Sequence, residues 1–329
     1  EEAIIDNQQT DHNCMNCHSF RMHAPDDMLF HMRSTYGGTY VWTNGVLEKL
    51  DGKVSDAIQS LVYPYWHPSG DYVAFSTNQT KQMFHMKDKN RIEVFDMSSD
   101  VLVYDVKNHR VVTDSLLFSK QAFETFPSFS PDGKTLYFSS SVAQKMPIDY
   151  KKVKYNICSI SFDAETGRFG TQVDTLFSVE QTGKTGTFPR VSPDGKFLAF
   201  TEADYGNFTI WHKEADLCLI DLKTKEIKSL DALNSLEAES YHAWSSNGRW
   251  LVFASRRDDG LYSRPYIAYI DEEGTPHKAF VVPQASPDAY LDGLKSYNVP
   301  EFITGPVNLQ RKAVVEMAKH GQAKKVTAQ

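Results

Sequence analysis

The chain has 329 residues, 41% of them hydrophobic and 12% aromatic, enough to bury a large core in one or two domains. Its net charge of -7, with Lys and Arg scattered along the chain, offers no face to a polyanion, so nucleic acid is excluded as a partner. No run of about eighteen apolar residues occurs, which excludes a transmembrane span, and 4 Cys are too few for a disulfide framework. The chain opens on Glu1-Glu2-Ala3-Ile4-Ile5 rather than a basic, apolar leader, and we expect a mature form whose signal segment, with any lipid anchor of a longer precursor, is not included.

The first chemistry-bearing stretch is Cys14-Met15-Asn16-Cys17-His18. Two thiols three positions apart followed at once by a histidine is the pattern of c-type haem attachment. The thiols add to the porphyrin vinyl groups and the imidazole becomes the proximal iron ligand. Two alternatives stay open at this point. The thiols can form a disulfide or a regulatory pair, or Cys14, Cys17 and one of His12, His18 and His23 can bind zinc.

A repeat follows. V-Y-P-Y-W-H-P-S-G-D-Y-V-A-F begins at Val62, T-F-P-S-F-S-P-D-G-K-T-L-Y-F at Thr125, T-F-P-R-V-S-P-D-G-K-F-L-A-F at Thr187 and S-Y-H-A-W-S-S-N-G-R-W-L-V-F at Ser240. Each unit is a short apolar strand, a turn ending in glycine and an alternating strand that closes on Phe75, Phe138, Phe200 or Phe253. Two further strands come later in each unit, for example V-L-V-Y-D-V with R-V-V-T-D. Four strands per repeat predict a propeller blade. Aligning Asp27–His31 with Asp71–Phe75 yields a cryptic first copy, with His18 on Val62 and His31 in the place of the core phenylalanine. The motif then leads into the inner strand of this blade, and Asn44-Gly45 turns its outer hairpin.

The expected fold is therefore all-β, a propeller of four-stranded blades, five by this count and six if the chain beyond Pro283 adds strands. The boundaries are an N-terminal segment 1–24, a propeller 25–306 and a tail 307–329 that reads as one amphipathic helix with a loose polar end. Cys158 and Cys218 fall at one position of two repeats and read as small buried core residues.

Propeller geometry puts the motif on the face that carries the insertions 78–99, 141–155, 203–215 and 256–265. Candidates for a sixth haem ligand are Met83, His85 and Met86, then Met146, His212 and the anomalous His31. A thioether or second imidazole there favours electron transfer, whereas an open position favours ligand binding. His212, Glu214 and Asp216 alternate along one side of an extended segment, a weak divalent-metal pattern. Arg256-Arg257-Asp258-Asp259 reads as a salt-bridged turn.

The S-P-D-G-K repeats resemble the TolB-like, WD40-like (PD40) β-propeller family. Together with C-x-x-C-H, Y-G-N-F-T-I-W-H-K-E-A-D-L and S-R-R-D-D-G-L-Y-S-R-P-Y, they resemble secreted propeller proteins of Bacteroides-type bacteria, over about residues 12 to 305. The resemblance implies a propeller in the periplasm, or at the outer membrane or cell surface, of a Gram-negative bacterium. TolB-like propellers in general lack the haem motif.

Two functions are expected from different classes. One is a c-type cytochrome on a propeller, with a redox partner protein or an envelope protein docking on it. The other is a TolB-like module without haem that binds a protein or a glycan. A hydrolase is not expected, because the chain has no G-x-S-x-G elbow and no room for a doubly wound domain.

Overall fold

The computed structural model describes residues 3–286 and 288–329. Its strands form five sheets, each antiparallel through its first four strands. The first sheet runs Met15–Phe20, Met28–Met32, Gly38–Thr43 and Val46–Asp51, and the second Val62–Trp66, Tyr72–Phe84, Ile92–Asp105 and Arg110–Val112. The third holds Ala122–Phe129, Thr135–Val142, Asn156–Asp163 and Arg168–Phe177, and the fourth Thr185–Val191, Phe197–Ala203, Asp216–Asp221 and Ile227–Ser229. The fifth is Glu239–Trp244, Trp250–Ser255, Arg264–Tyr269 and Phe280–Val281. Residues of all five innermost strands line one cavity, so the all-β propeller expectation holds, and five sheets are compatible with five blades.

The alternation of each strand sends one set of side chains to each face, and both faces of a blade must be covered. Leu29, Val41 and Leu50 of the first sheet pack on Trp66, Val73, Phe75 and Leu102 of the second. Comparable clusters join the second to the third sheet, the third to the fourth, and the fourth to the fifth. The opposite face of the first sheet, with Met28, Phe30, Met32 and Tyr40, is covered by Leu309, Val314 and Ala318 and by Ile4 and Ile5. A helix and the N-terminal segment thus cover the face of the first sheet that is turned away from the second.

The inner hairpins turn as their sequences demand. Ser130 Oγ donates to Asp132 Oδ1 at 2.6 Å, and the same carboxylate accepts the Lys134 N–H at 3.1 Å. Gly133 then takes φ 73°, a conformation that favours glycine. Ser192, Asp194 and Gly195 repeat this turn, as do Ser245, Asn247 and Gly248. Asn44 and Gly45, at φ 51° and 75°, make the two-residue turn expected of the first sheet.

Three expectations are revised. First, the motif does not lead into the inner strand but forms it, because Met15–Phe20 is that strand. Second, His31 is not in the phenylalanine position. Asn16 pairs with His31 as Val62 pairs with Ser76, Thr125 with Ser139 and Thr187 with Thr201. Phe30 therefore matches Phe75, Phe138, Phe200 and Phe253, and His31 takes the place of small residues. The turn after Phe20 is one residue longer than that after Trp66, which displaces the alignment. Third, the tail is helical only over Arg311–His320. Beyond it, Lys324–Lys325 pairs in parallel with Leu50 and Asp51, and Thr327–Ala328 with Arg110 and Val111. The tail adds strands to the outer edges of the first two sheets, not to a sixth sheet.

The long second hairpin also positions the site. Tyr72–Phe84 and Ile92–Asp105 run past the sheet and reach the insertion of the fourth. There Glu93 meets His212 and Tyr205, Asp96 meets Asn207, and Asn90 accepts the Lys213 N–H. This hairpin bridges one mouth of the channel.

Candidate functional site

Every inner strand carries a bulge at the same register, between Asn16 and Ser19, Val62 and Tyr65, Thr187 and Arg190, and Ser240 and Ala243. At the bulge one residue enters the left-handed region: Cys17 at φ 54°, Tyr63 at 51°, Phe126 at 52°, Phe188 at 54° and Tyr241 at 51°. Each such non-glycine residue stores about 1–3 kcal/mol of strain, repaid by what its side chain contacts. Here the aromatic side chains meet at the axis. Tyr63 and Phe126 are 4.8 Å apart edge to face, Phe126 stacks on Phe188 at 3.8 Å, and Tyr241 lies 4.8 Å from Phe188. Cys17 is the fifth member, and its thiol raises the hydroxyl pKa of both neighbours, Tyr63 and Tyr241, beyond what their burial does. The motif cysteine thus fills the place of an aromatic ring.

Around this ring lies a cavity of about 610 Å³, within the roughly 300–1,000 Å³ that holds a cofactor-sized molecule. Cys14, Cys17 and His18 all line it, with Phe208 and Trp211 on one side of the ring and Tyr65 and Trp66 on the other. Both motif thiols are free, Cys14 exposed and Cys17 half-buried. Burial pushes the Cys17 thiol up to about 11. The chain from Asn298 to Phe302 also lines the cavity and is tied down where Phe302 C=O meets His23 Nδ1 at 3.0 Å. It delivers Glu301, whose Oε1 stands 3.4 Å from His18 Nε2 while its Oε2 accepts the Phe20 N–H at 3.2 Å. Burial raises the pKa of this carboxyl, and His18 opposes the shift.

His242 follows Tyr241 as His18 follows Cys17, where the other sheets have Pro64, Pro127 and Pro189. It lines the cavity and is 3% exposed; its ring nitrogens make no hydrogen bond of strict geometry, although the backbone of Ala199 and Phe188 lies close enough to act on it. Burial, with Arg190 nearby, lowers its pKa to about 3, so the ring is neutral and a competent nitrogen donor.

The other candidates lie elsewhere, and none of them lines the cavity. His31 is buried with Nδ1 at 3.2 Å from Thr39 Oγ1. His85 Nε2 is 3.3 Å from the Tyr150 hydroxyl, Met86 is exposed, and Met83 lies on the hairpin arm opposite Glu93. Met146 packs beside Phe123 and Tyr155. His212 gives Nε2 to Glu93 at 2.9 Å with both groups buried, Glu214 pairs with Lys89 at 2.9 Å, and Asp216 opens a strand opposite Glu202. These three do not converge, and among the described residues no group of three His, Cys, Asp or Glu is placed to hold a metal ion, Cys14 and Cys17 included. Cys158 and Cys218 are buried and free, opposite Phe138 and Phe200. Arg264 pairs with Asp258 and Asp259 at 2.7 and 2.8 Å, so that acidic pair is indeed salt-bridged, though not by Arg256.

Sequence reasoning missed His242 and Glu301. A signal for the first existed: N-C-H-S-F at Asn16 matches T-F-P-S-F at Thr125 directly, and that alignment sets His18 level with His242. For Glu301 no sequence signal exists, because a return from the far end of the chain brings it in.

No family model matches the chain, and no curated protein does. Among solved structures it is similar to a putative TolB from Agrobacterium tumefaciens, with TM-score 0.51 and 15% identity over 82% of this chain and 80% of that one. It is also similar to an oligogalacturonate lyase in complex with manganese, with TM-score 0.51 and 14% identity over 83% of this chain and 68% of that one. At these identities the likeness is one of fold. No helix among the described residues is long and apolar enough to cross a membrane.

Proposed function

We propose that the chain is a five-bladed propeller of the bacterial envelope whose channel carries one haem, bound covalently through Cys14 and Cys17, for electron transfer or redox sensing. The observation that carries this reading is the opening of Cys14, Cys17 and His18 onto one aromatic-lined cavity of about 610 Å³. The donor set fits: two free thiols, a half-exposed imidazole and a neutral, buried second imidazole at His242. The bound haem supplies one-electron chemistry tuned by its axial ligands.

The protein's own residues have defined parts. Cys14 and Cys17 would anchor the haem, and His18 would give it a nitrogen ligand. Glu301 is the carboxylate that fixes the orientation of that ring and strengthens it as a donor. His242, which lines the same cavity, would offer a second nitrogen donor to the group, in place of the ligands expected from the insertions. Tyr63, Phe126, Phe188 and Tyr241 keep water out, which raises the electrostatic weight of every charge in the channel. Because haem is attached outside the cytoplasm, the reading places the chain in the periplasm or at the cell surface, facing a redox partner or an envelope protein.

The test is export of the chain in cells with c-type maturation machinery, followed by intact mass and the reduced absorption spectrum after denaturation. The parent gains one haem and the Cys14→Ala/Cys17→Ala double variant none. A parent without covalent haem ends this reading and leaves a propeller that binds its ligand non-covalently. In the haem form, His242→Ala turns a low-spin spectrum high-spin and opens the iron to carbon monoxide. An unchanged spectrum removes His242 from the ligand set.

A further inference from the structure

The whole chain is acidic, with a net charge of -7. The channel is not. The charged residues lining it are Arg33, Lys81 and Arg190 against Glu301 alone, and Glu301 is engaged by His18 and the Phe20 N–H.

Arg190 is the most distinctive of the three. It stands on the inner strand of the fourth sheet where the other sheets have Ser19, Tyr65, Ser128 and Ala243, so this large cation is particular to one blade. Its guanidinium lies over the Tyr65 ring at 5.0 Å. Of its five N–H donors one meets the Pro189 carbonyl oxygen at 2.8 Å, and no carboxylate of the described residues forms an ion pair with it. The guanidinium is part-buried, and the one carboxylate that acts on it from a distance, Glu301, is held by His18 and the Phe20 N–H, so its fork stays open to the cavity. Held flat against an aromatic ring, it presents a fork that matches a carboxylate.

We propose that the channel recognises a flat, apolar ligand through an acidic group on its edge, and that Arg190 receives that group. The rings of Tyr65, Trp66, Phe126 and Phe188 supply the apolar walls, and Arg190 fixes the orientation. This deepens the haem reading, because a porphyrin carries two propionates, but it does not need the thioether bonds. The shared chemistry is a carboxylate on an aromatic frame, whether porphyrin or smaller aromatic acid.

The experiment titrates the full chain, made without maturation machinery, with haemin, haemin dimethyl ester and naphthalene-2-carboxylate. The expected result is that haemin binds the parent at least about tenfold more tightly than its diester, and that Arg190→Gln removes this preference while leaving diester binding unchanged. Arg190→Lys, which keeps the charge but not the fork, restores part of it. Competition of naphthalene-2-carboxylate with haemin, lost in Arg190→Gln, assigns the site to aromatic acids at large, and absence of competition restricts it to porphyrins. Equal binding of diacid and diester, or an equal loss of both in Arg190→Gln, overturns the proposal. The covalent-haem test reads separately, since failure to attach haem leaves the Arg190 dependence measurable.

Discussion

Cys17 is where structure and chemistry meet most closely. Four of five equivalent positions hold an aromatic ring in a strained left-handed bulge, and the fifth holds a thiol. A thiol there leaves room and reactivity where a ring would leave neither. Cys17→Phe therefore folds as well as the parent, with a thermal midpoint within a few degrees, but binds no porphyrin; tight binding by this variant would show that the ligand sits elsewhere. Glycines give a second residue-scale contrast. Gly133 and Gly195 occupy the same turn at φ 73° and 72°, but a Cβ on Gly133 meets His67 Nε2 at 2.2 Å whereas one on Gly195 meets nothing within 4 Å. Gly195→Ala should cost about 1 kcal/mol for the dihedral, and Gly133→Ala at least about twice that, as read by urea denaturation. Most of this was legible: the turn glycines and the repeated aromatic position stand in the text of the repeats. The fifth bulge was displaced because the first turn has an extra residue and no glycine, so the alignment was anchored on the wrong strand.

At the scale of elements, the second hairpin carries buried acids into the inter-blade space. Asp96 accepts Asn78 Nδ2, Thr80 Oγ1 and Asn207 Nδ2, yet burial still raises its carboxyl to about 6. Glu124, on the adjoining inner strand, is pushed up to about 8 by burial and then by Asp100. A carboxyl whose folded pKa is raised supports the fold fully below its unfolded value and loses that support as pH climbs through the folded value. Stability should therefore fall from about pH 4 to about 8, by several kcal/mol at most. Glu124→Gln should flatten the part of the fall above about pH 6, leaving the earlier part to Asp96 and to Asp100, whose carboxyl burial also raises to about 6. A urea midpoint that falls as steeply above pH 6 in the variant as in the parent would count against a protonated Glu124. Such placements could not be read in advance, since alternation reveals which face a residue takes but not how far a hairpin travels. Edge strands of two residues, as in the tail, likewise have no period to detect.

The molecule as a whole is a ring with unequal joints. Four are made by facing sheets, whereas the remaining face of the first sheet is covered by a helix and the N-terminal segment, with the return through Glu301 beside it. The four-stranded repeat was legible because every blade must satisfy the same covering rule. The cover of that remaining face was not, because it is built from segments outside the repeat. Val326 shows what the tail contributes: it is 1% exposed and packs with Val111 and Leu50 between the first two sheets. Val326→Asp should lower stability by about 1.5–3 kcal/mol or more, and removal of the chain after His320 should raise amide exchange in Val46–Asp51 and Arg110–Val112 before it does so in the fourth sheet. Uniform exchange across all sheets would mean that the tail is passive.

The pairing of Lys324–Lys325 and Thr327–Ala328 with the first two sheets has a temporal side. A chain is born from its N-terminus, so the blades that emerge earliest are the ones whose outer edges are covered last. Until residues 324 to 328 have left the ribosome, or cleared the export channel, those edges remain open to any passing strand. A nascent chain that has not yet delivered residues 324 to 328 therefore exposes two open sheet edges to pairing and aggregation.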